Sequence, residues 1–329
     1  MKESIRIASG QGFWGDLLRA PIDQVRRGPI DYLVMDYLAE VTMSIMQKQR
    51  IRNPELGYAR DLVDTIDEIL PDIAEKGIRL ITNGGGVNLE ACRDAILERA
   101  RNKGVNVTVG VVSGDDILDD IDTLVAAGAP LENMESGASL EDVRDELLSA
   151  NVYLGAAPIV KALGMGADIV ITGRTTDTGL TLAPMIHEFG WDMSNWDLMA
   201  AGTIAGHIIE CGAQASGGNY MGDWRGVPNM IDVGFPIIEA LPTGEFFVTK
   251  HEGTGGLVSR GTVAEQCLYE IGDPKGYITP DVIADFTSIN LEDLGDNRVR
   301  VHGIRGAENT PTYKVSMSYE DGYSAFATL

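Results

Sequence analysis

The sequence is short of cysteine, of basic residues and of long apolar runs, and each scarcity removes a class of protein. Its three cysteines, Cys92, Cys211 and Cys267, are widely separated and form no C-x-x-C pair. A disulfide framework or zinc–thiolate site is therefore not expected, which fits a reducing compartment. No apolar run approaches the roughly 20 residues of a membrane span, and the first residues run straight into a strand with no secretory signal before it. The expectation is a cytoplasmic protein with no membrane partner. Lys and Arg number 26 against 49 Asp and Glu, a net charge of −23. That field repels polyanions, so nucleic acid is not an expected partner. A G-x-S-x-G elbow and a Walker A loop are both missing, which argues against serine hydrolases and P-loop NTPases.

What is present is an ordinary soluble composition, 44% hydrophobic and 23% charged, over 329 residues. Strand-like apolar runs at 5–8, 32–36, 78–82, 105–112, 151–154 and 169–171 alternate with helical segments. Asp16 is positioned to cap the first helix. Leu62, Ile66, Ile69, Leu70 and Ile73 repeat at i, i+3, i+4 spacing inside a helix spanning 56–74. The pattern predicts an α/β fold over residues 1–212, a mainly parallel sheet with helices on both faces. Beyond it, short alternating runs at 235–239, 245–249, 298–302, 312–318 and 323–328 predict a smaller mixed or antiparallel α+β region, 213–329, that completes the site. Asp321-Gly322 reads as a hairpin turn between 313–319 and 323–328. A lone hairpin leaves an open edge, so further strands or another chain should cover it.

The candidate chemistry sits at glycine-bearing strand ends, where ligands of open α/β sheets gather. The stretch 167–184 reads as strand, polar loop and helix, and its loop carries Arg174 and Asp177. Asp177 or Thr178 can cap the helix; Arg174 is then either the ion-pair partner of Asp177 or, among three threonines, a group for an anionic ligand. Asn83, Gly84, Gly85 and Gly86 let backbone amides approach an anion. Gly10, Gly12 and Gly15 have G-x-G-x-x-G spacing, with Asp31 or Asp36 as the ribose-binding acid. Bulky Phe13 and Trp14 would crowd a pyrophosphate, so this dinucleotide signal is weak. His207 shares a helical face with Glu210 and Cys211, a set suited to proton transfer or to half a metal site that nothing nearby completes. Gln214, Gly217, Gly218 and Asn219 follow in a polar loop. Lys250 and Glu252 alternate to one side of His251, ahead of Thr254, Gly255 and Gly256, in the densest ionisable cluster.

These segments carry a family likeness. Ile7-Ala-Ser-Gly-Gln-Gly-Phe-Trp-Gly-Asp, Ile81-Thr-Asn-Gly-Gly-Gly-Val-Asn, Asp168-Ile-Val-Ile-Thr-Gly-Arg-Thr-Thr-Asp, the run 202–219 and Lys250-His-Glu-Gly-Thr-Gly-Gly resemble, in order along nearly the whole chain, the acyclic terpene utilisation (AtuA-like) family. The resemblance implies a part in breaking down acyclic terpenoid or branched acids as coenzyme A thioesters, by lyase or hydratase/dehydratase chemistry on a 3-hydroxyacyl-CoA. Coenzyme A would then enter as part of the substrate, with no tightly bound cofactor and no metal. Many members continue past the position of Leu329 into a small ferredoxin-like domain. A separate small subunit pairing with the C-terminal strands, in a homo- or hetero-oligomer, is the corresponding expectation.

On this reading Arg174 clamps a carboxylate, and either His207 with Glu210 or the Lys250–Glu252 pair moves the proton. Glycine amides would stabilise the enolate oxygen. Arg174→Ala should then abolish activity with little loss of stability. The alternative is a non-catalytic scaffold or binding subunit of an acyl-CoA-processing complex.

Overall fold

The computed structural model describes residues 2–327. In chain order the elements are β1 (Ile5–Gln11), α1 (Arg19–Arg27), β2 (Tyr32–Met35), α2 (Glu40–Arg52), α3 (Arg60–Lys76), β3 (Arg79–Thr82), α4 (Leu89–Lys103), β4 (Val109–Val112), α5 (Ile121–Ala126), β5 (Leu147–Val152), α6 (Ala157–Gly164) and β6 (Ile169–Thr172). They continue with α7 (Gly179–Phe189), α8 (Trp196–Ile209), β7 (Ile237–Ala240), β8 (Phe246–Thr249), α9 (Arg260–Leu268), β9 (Tyr277–Ile278), β10 (Ile283–Asp285), β11 (Asn290–Asp293), β12 (Val299–His302), β13 (Arg305–Ala307) and β14 (Val315–Tyr319).

Side-chain alternation along the strands builds two cores, one on each face of the main sheet. Tyr32 and Val34 of β2 join one, with Leu180, Met185, Ile204 and Ile208 from α7 and α8. Leu33 and Met35 join the other, with Val25, Ile66, Ile69 and Ile96 from α1, α3 and α4. Helix α8 is apolar all round and buried from Met199 to Ile209, as befits a helix enclosed by protein.

The sheet has nine strands in the order β11-β12-β8-β7-β1-β2-β3-β6-β4. On one side of β1 the pairings are parallel, through β2, β3, β6 and β4. On the other side β7, β8, β12 and β11 are antiparallel. The sheet is therefore mixed rather than mainly parallel. The tight β7–β8 connection admits only antiparallel pairing, and its first strand lies against the free edge of β1. Strands expected in a smaller C-terminal region thus extend the sheet begun by the N-terminal strands.

Three local expectations are corrected. The strand near 151–154 is β5, which lies outside the main sheet and pairs antiparallel with β14. That ribbon covers a satellite cluster of Ile121, Leu140 and Ala150. With β14 so engaged, the hairpin about Asp321-Gly322 does not form. Residues 323–327 are not in a strand, and Thr328 and Leu329 lie outside the described residues. Asp16 does not cap α1: its carboxylate accepts from Gly12 N at 3.0 Å and Leu17 N at 2.7 Å, bracing the turn after β1. Among the described residues, no helix is long and apolar enough to cross a membrane.

Candidate functional site

The parallel strands end in loops that converge on Arg174. Its backbone leaves β6 and its amide donates to Asp115 Oδ2 at 2.8 Å, fixing the loop against the end of β4. The side chain turns inward and is 3% exposed. Nη1 donates to the Leu38 carbonyl at 2.7 Å and Nη2 to Asp177 Oδ1 at 3.1 Å. The guanidinium also stacks on Tyr153, 4.3 Å from the ring centroid. Burial opposes its charge, but Asp177, Tyr153, Asp36 and Glu40 outweigh that cost and hold it protonated. Asp177 therefore does not cap α7; Thr178 holds the cap position and makes no side-chain cap bond.

Asp36 follows β2 and is nearly buried. Asn83, at the end of β3, donates from Nδ2 to Asp36 Oδ1 at 2.6 Å and accepts from Tyr37 N at 2.7 Å. Burial pushes the Asp36 carboxyl up to about 6, helped by the Glu210 charge, while Asn83 and Arg174 pull it down. Burial likewise raises Asp177 well above the usual carboxylate range, with the charges of Asp36, Glu210 and Glu40 adding to it and Arg174 opposing. Asp36 and Asp177 thus lie in the field of one guanidinium, and they cannot both ionise freely.

Asp177 opens into a cleft of ≈ 490 Å³ whose walls include Tyr153, Arg174, Thr176, Tyr277 and Lys314. Lys314 Nζ lies 4.8 Å from the Tyr153 ring centroid and 3.6 Å from Glu40 Oε1. Tyr153 in turn donates its hydroxyl to Glu40. Asp281 follows Thr279 and Pro280 of the cleft wall and accepts from Ala156 N with both oxygens at 3.0 Å. Burial raises its carboxyl to about 6.

His207 is buried, with Nε2 3.0 Å from the Gln266 carbonyl and its ring edge-on to Phe286 and Tyr277. Nδ1 approaches Glu210 Oε1 at 2.9 Å without hydrogen-bond alignment. Burial opposes its charge, but the Glu210 carboxylate raises its pKa on balance. Gly84, Gly85 and Gly86 are buried and face protein: a Cβ on Gly84 would lie 2.7 Å from Leu62, and one on Gly85 2.5 Å from Leu89. Close packing on α3 and α4 accounts for Gly84 and Gly85, and Gly86 takes φ +57 against Met46 and the Gly57 carbonyl. Gly12 abuts the Cys211–Gly212 backbone, where a Cβ would come within 2.6 Å. Gln214 is half-buried after α8, Gly217 takes φ +101, and Gly218 and Asn219 are exposed.

Lys250, Glu252 and Thr254 line a different cleft, with no residue in common with that of Arg174. Lys250 Nζ donates to the Thr254 carbonyl at 2.8 Å rather than to Glu252, which is exposed. Gly255 and Gly256 pack on the Asn229 and Ser216 carbonyls. Arg174 and Asp177 thus meet, Asn83 is tied to Asp36 beside them, and Glu210 is set against His207; Lys250, Glu252 and Thr254 stand apart.

Sequence reasoning placed Asp36 only in a dinucleotide role and passed over Asp115, Tyr153, Tyr277, Asp281 and Lys314. Asp36 and Asp115 carried a signal, each being an acid just past an apolar run. Tyr277, Asp281 and Lys314 carried none, since they arrive from segments more than 90 residues downstream of Arg174. Among the described residues, no group of three or more His, Cys, Asp and Glu is arranged to hold a metal ion.

No curated protein and no solved structure matches the chain. The sequence model of the acyclic terpene utilisation family protein AtuA matches residues 5–329, and the chain therefore belongs to the AtuA family.

Proposed function

We propose that this protein is an enzyme of acyclic terpenoid breakdown that moves a proton on a 3-hydroxyacyl-CoA or the corresponding enoyl thioester. The observation that carries the reading is the pairing of Asp36 and Asp177, two carboxyls raised by burial around the single guanidinium of Arg174. Two raised carboxyls in one field share protons rather than ionise together, which supplies a base and an acid to the site. The ionised member takes the proton α to the thioester, and the protonated member returns one to the departing hydroxyl. Arg174, fixed by Leu38 and stacked on Tyr153, steadies the negative charge that develops on the thioester oxygen. Lys314 at the wall of the cleft adds a cation for an anionic part of the substrate.

The reading is tested by incubating the protein with branched 3-hydroxyacyl-CoA and enoyl-CoA thioesters and following the enoyl-thioester absorbance. Turnover that Asp177→Asn abolishes is the expected result. Saturable thioester binding in a thermal-shift assay, without turnover by the native chain, would favour the scaffold alternative. A site filled at 100 times Kd adds about 2.7 kcal/mol to stability, so binding alone is readily seen.

A further inference from the structure

We propose that the second cleft, over β8 and the turn before β12, binds a diphosphate-bearing small molecule, with Lys250 as its anchoring cation. The cleft has a volume of ≈ 900 Å³, and Arg6, Arg27, Lys250, His251 and Arg298 line it. Because it shares no residue with the Arg174 cleft, the inference does not depend on the acid–base reading above.

Four side-chain cations converge here in a chain of net charge −23. Three have acidic partners. Arg298 forks onto Glu239 at 3.0 and 2.9 Å, Arg6 lies 4.0 Å from the same carboxylate, and Arg27 forks onto Asp232 at 3.0 and 2.8 Å. Ion pairing is sufficient reason for those three. It does not account for Lys250.

Lys250 is 7% exposed, and among the described residues Nζ donates only to neutral oxygens, the Thr254 carbonyl at 2.8 Å and Thr254 Oγ1 at 3.2 Å. Among the described residues no carboxylate pairs with Nζ, and Asp232, whose charge bears on it, is already held by Arg19 and Arg27. Glu252 and Asp296 line the cleft from its exposed rim. A buried ammonium with neutral acceptors alone is costly unless an anion joins it. A phosphoryl oxygen would take the third N–H of Lys250, which a compact ammonium offers as a point charge. The cleft is far larger than one phosphate needs. Arg27 and Arg298, held in place by their partners, stand ready for a second phosphoryl group.

The test is isothermal titration of the full chain with inorganic pyrophosphate, ADP and coenzyme A at constant ionic strength, with sulfate as control. Saturable binding of at least one diphosphate, weakened about tenfold or more by Lys250→Met and largely recovered in Lys250→Arg, is expected. Tighter binding of ADP or coenzyme A than of pyrophosphate identifies an organic diphosphate, and equal binding an inorganic one; either outcome upholds the site. No saturable binding of any of the three, sulfate binding as tight as pyrophosphate, or unchanged affinity in Lys250→Met overturns it. Should Lys250→Met not fold, Arg27→Gln decides: a several-fold loss of affinity upholds the proposal, and unchanged affinity overturns it.

Discussion

Arg174 and Asp177, three residues apart on the loop after β6, are joined by a 3.1 Å contact from Nη2 to Oδ1, while Nη1 is committed to the Leu38 carbonyl. The guanidinium therefore supports the fold as well as facing the cleft. Arg174→Ala leaves the carboxyls of Asp177 and Asp36 without their shared cation. Removing one partner of a buried pair costs about 3–5 kcal/mol; because the Asp177 side chain is 34% exposed, the lower end applies. The sequence-based expectation of little stability loss is replaced by a clear drop in the urea midpoint. An unchanged midpoint would contradict this account.

Asp177→Asn should act in the opposite sense on stability. The carboxyl of Asp177 is raised by burial and by the charges of Asp36, Glu210 and Glu40, so its ionised form weakens the fold at alkaline pH. Removing that charge should make the variant as stable as the native chain or more so at pH 8, with the gain fading as acid protonates the native carboxyl. Activity on any thioester substrate should nonetheless be lost. Urea titrations at two pH values, run beside the assay, check both halves.

Asp281 predicts a pH dependence with a defined window. Its carboxyl is raised from 3.8 to about 6 in the fold. As pH falls through 6 the folded state binds this proton before the unfolded state does, so stability rises toward pH 4. As pH rises through the same range that contribution is lost. At about 1.4 kcal/mol per pKa unit, the whole effect is at most about 3 kcal/mol. Asp281→Asn should flatten this part of the profile. Parallel native and variant curves between pH 4 and 7 would rule the assignment out.

Gly85→Ala tests whether the glycine run is there for packing. The added methyl would lie 2.5 Å from Leu89 Cδ2 and 2.8 Å from the Thr172 carbonyl, and the latter is backbone that cannot swing away. Overpacking of this kind costs about 1–3 kcal/mol. Calorimetric unfolding of the variant measures it, and a melting temperature equal to the native one would return the run to a ligand-binding role.

Much of the parallel half of the sheet was legible because its strands are short β-branched runs and its helices carry clear periodicity. The run at 169–171 became Ile169–Thr172, and the helix expected over 56–74 became Arg60–Lys76. The partner of β5 was not legible, because β14 lies more than 160 residues away and nothing local marks the pairing. Nor was the extension of the sheet by β7 and β8: alternation reveals a strand but not which free edge it meets. The candidate site divides along the same line. Arg174 and Asp177 come from one loop and could be read together, whereas Asp36, Asn83, Glu210 and Tyr277 meet them only through the order of strands and the docking of α8.

Periodicity, β-branched runs and spacing within one loop are properties of neighbouring residues, so the sequence by itself determined most helices, most strands and the Arg174–Asp177 pair. Which strand ends face each other depends on contacts between distant segments. Tertiary structure alone therefore decided that Asp36 and Asp177 share a guanidinium, that His207 is enclosed among Gln266, Tyr277 and Phe286, and that Lys250 stands in a separate cleft.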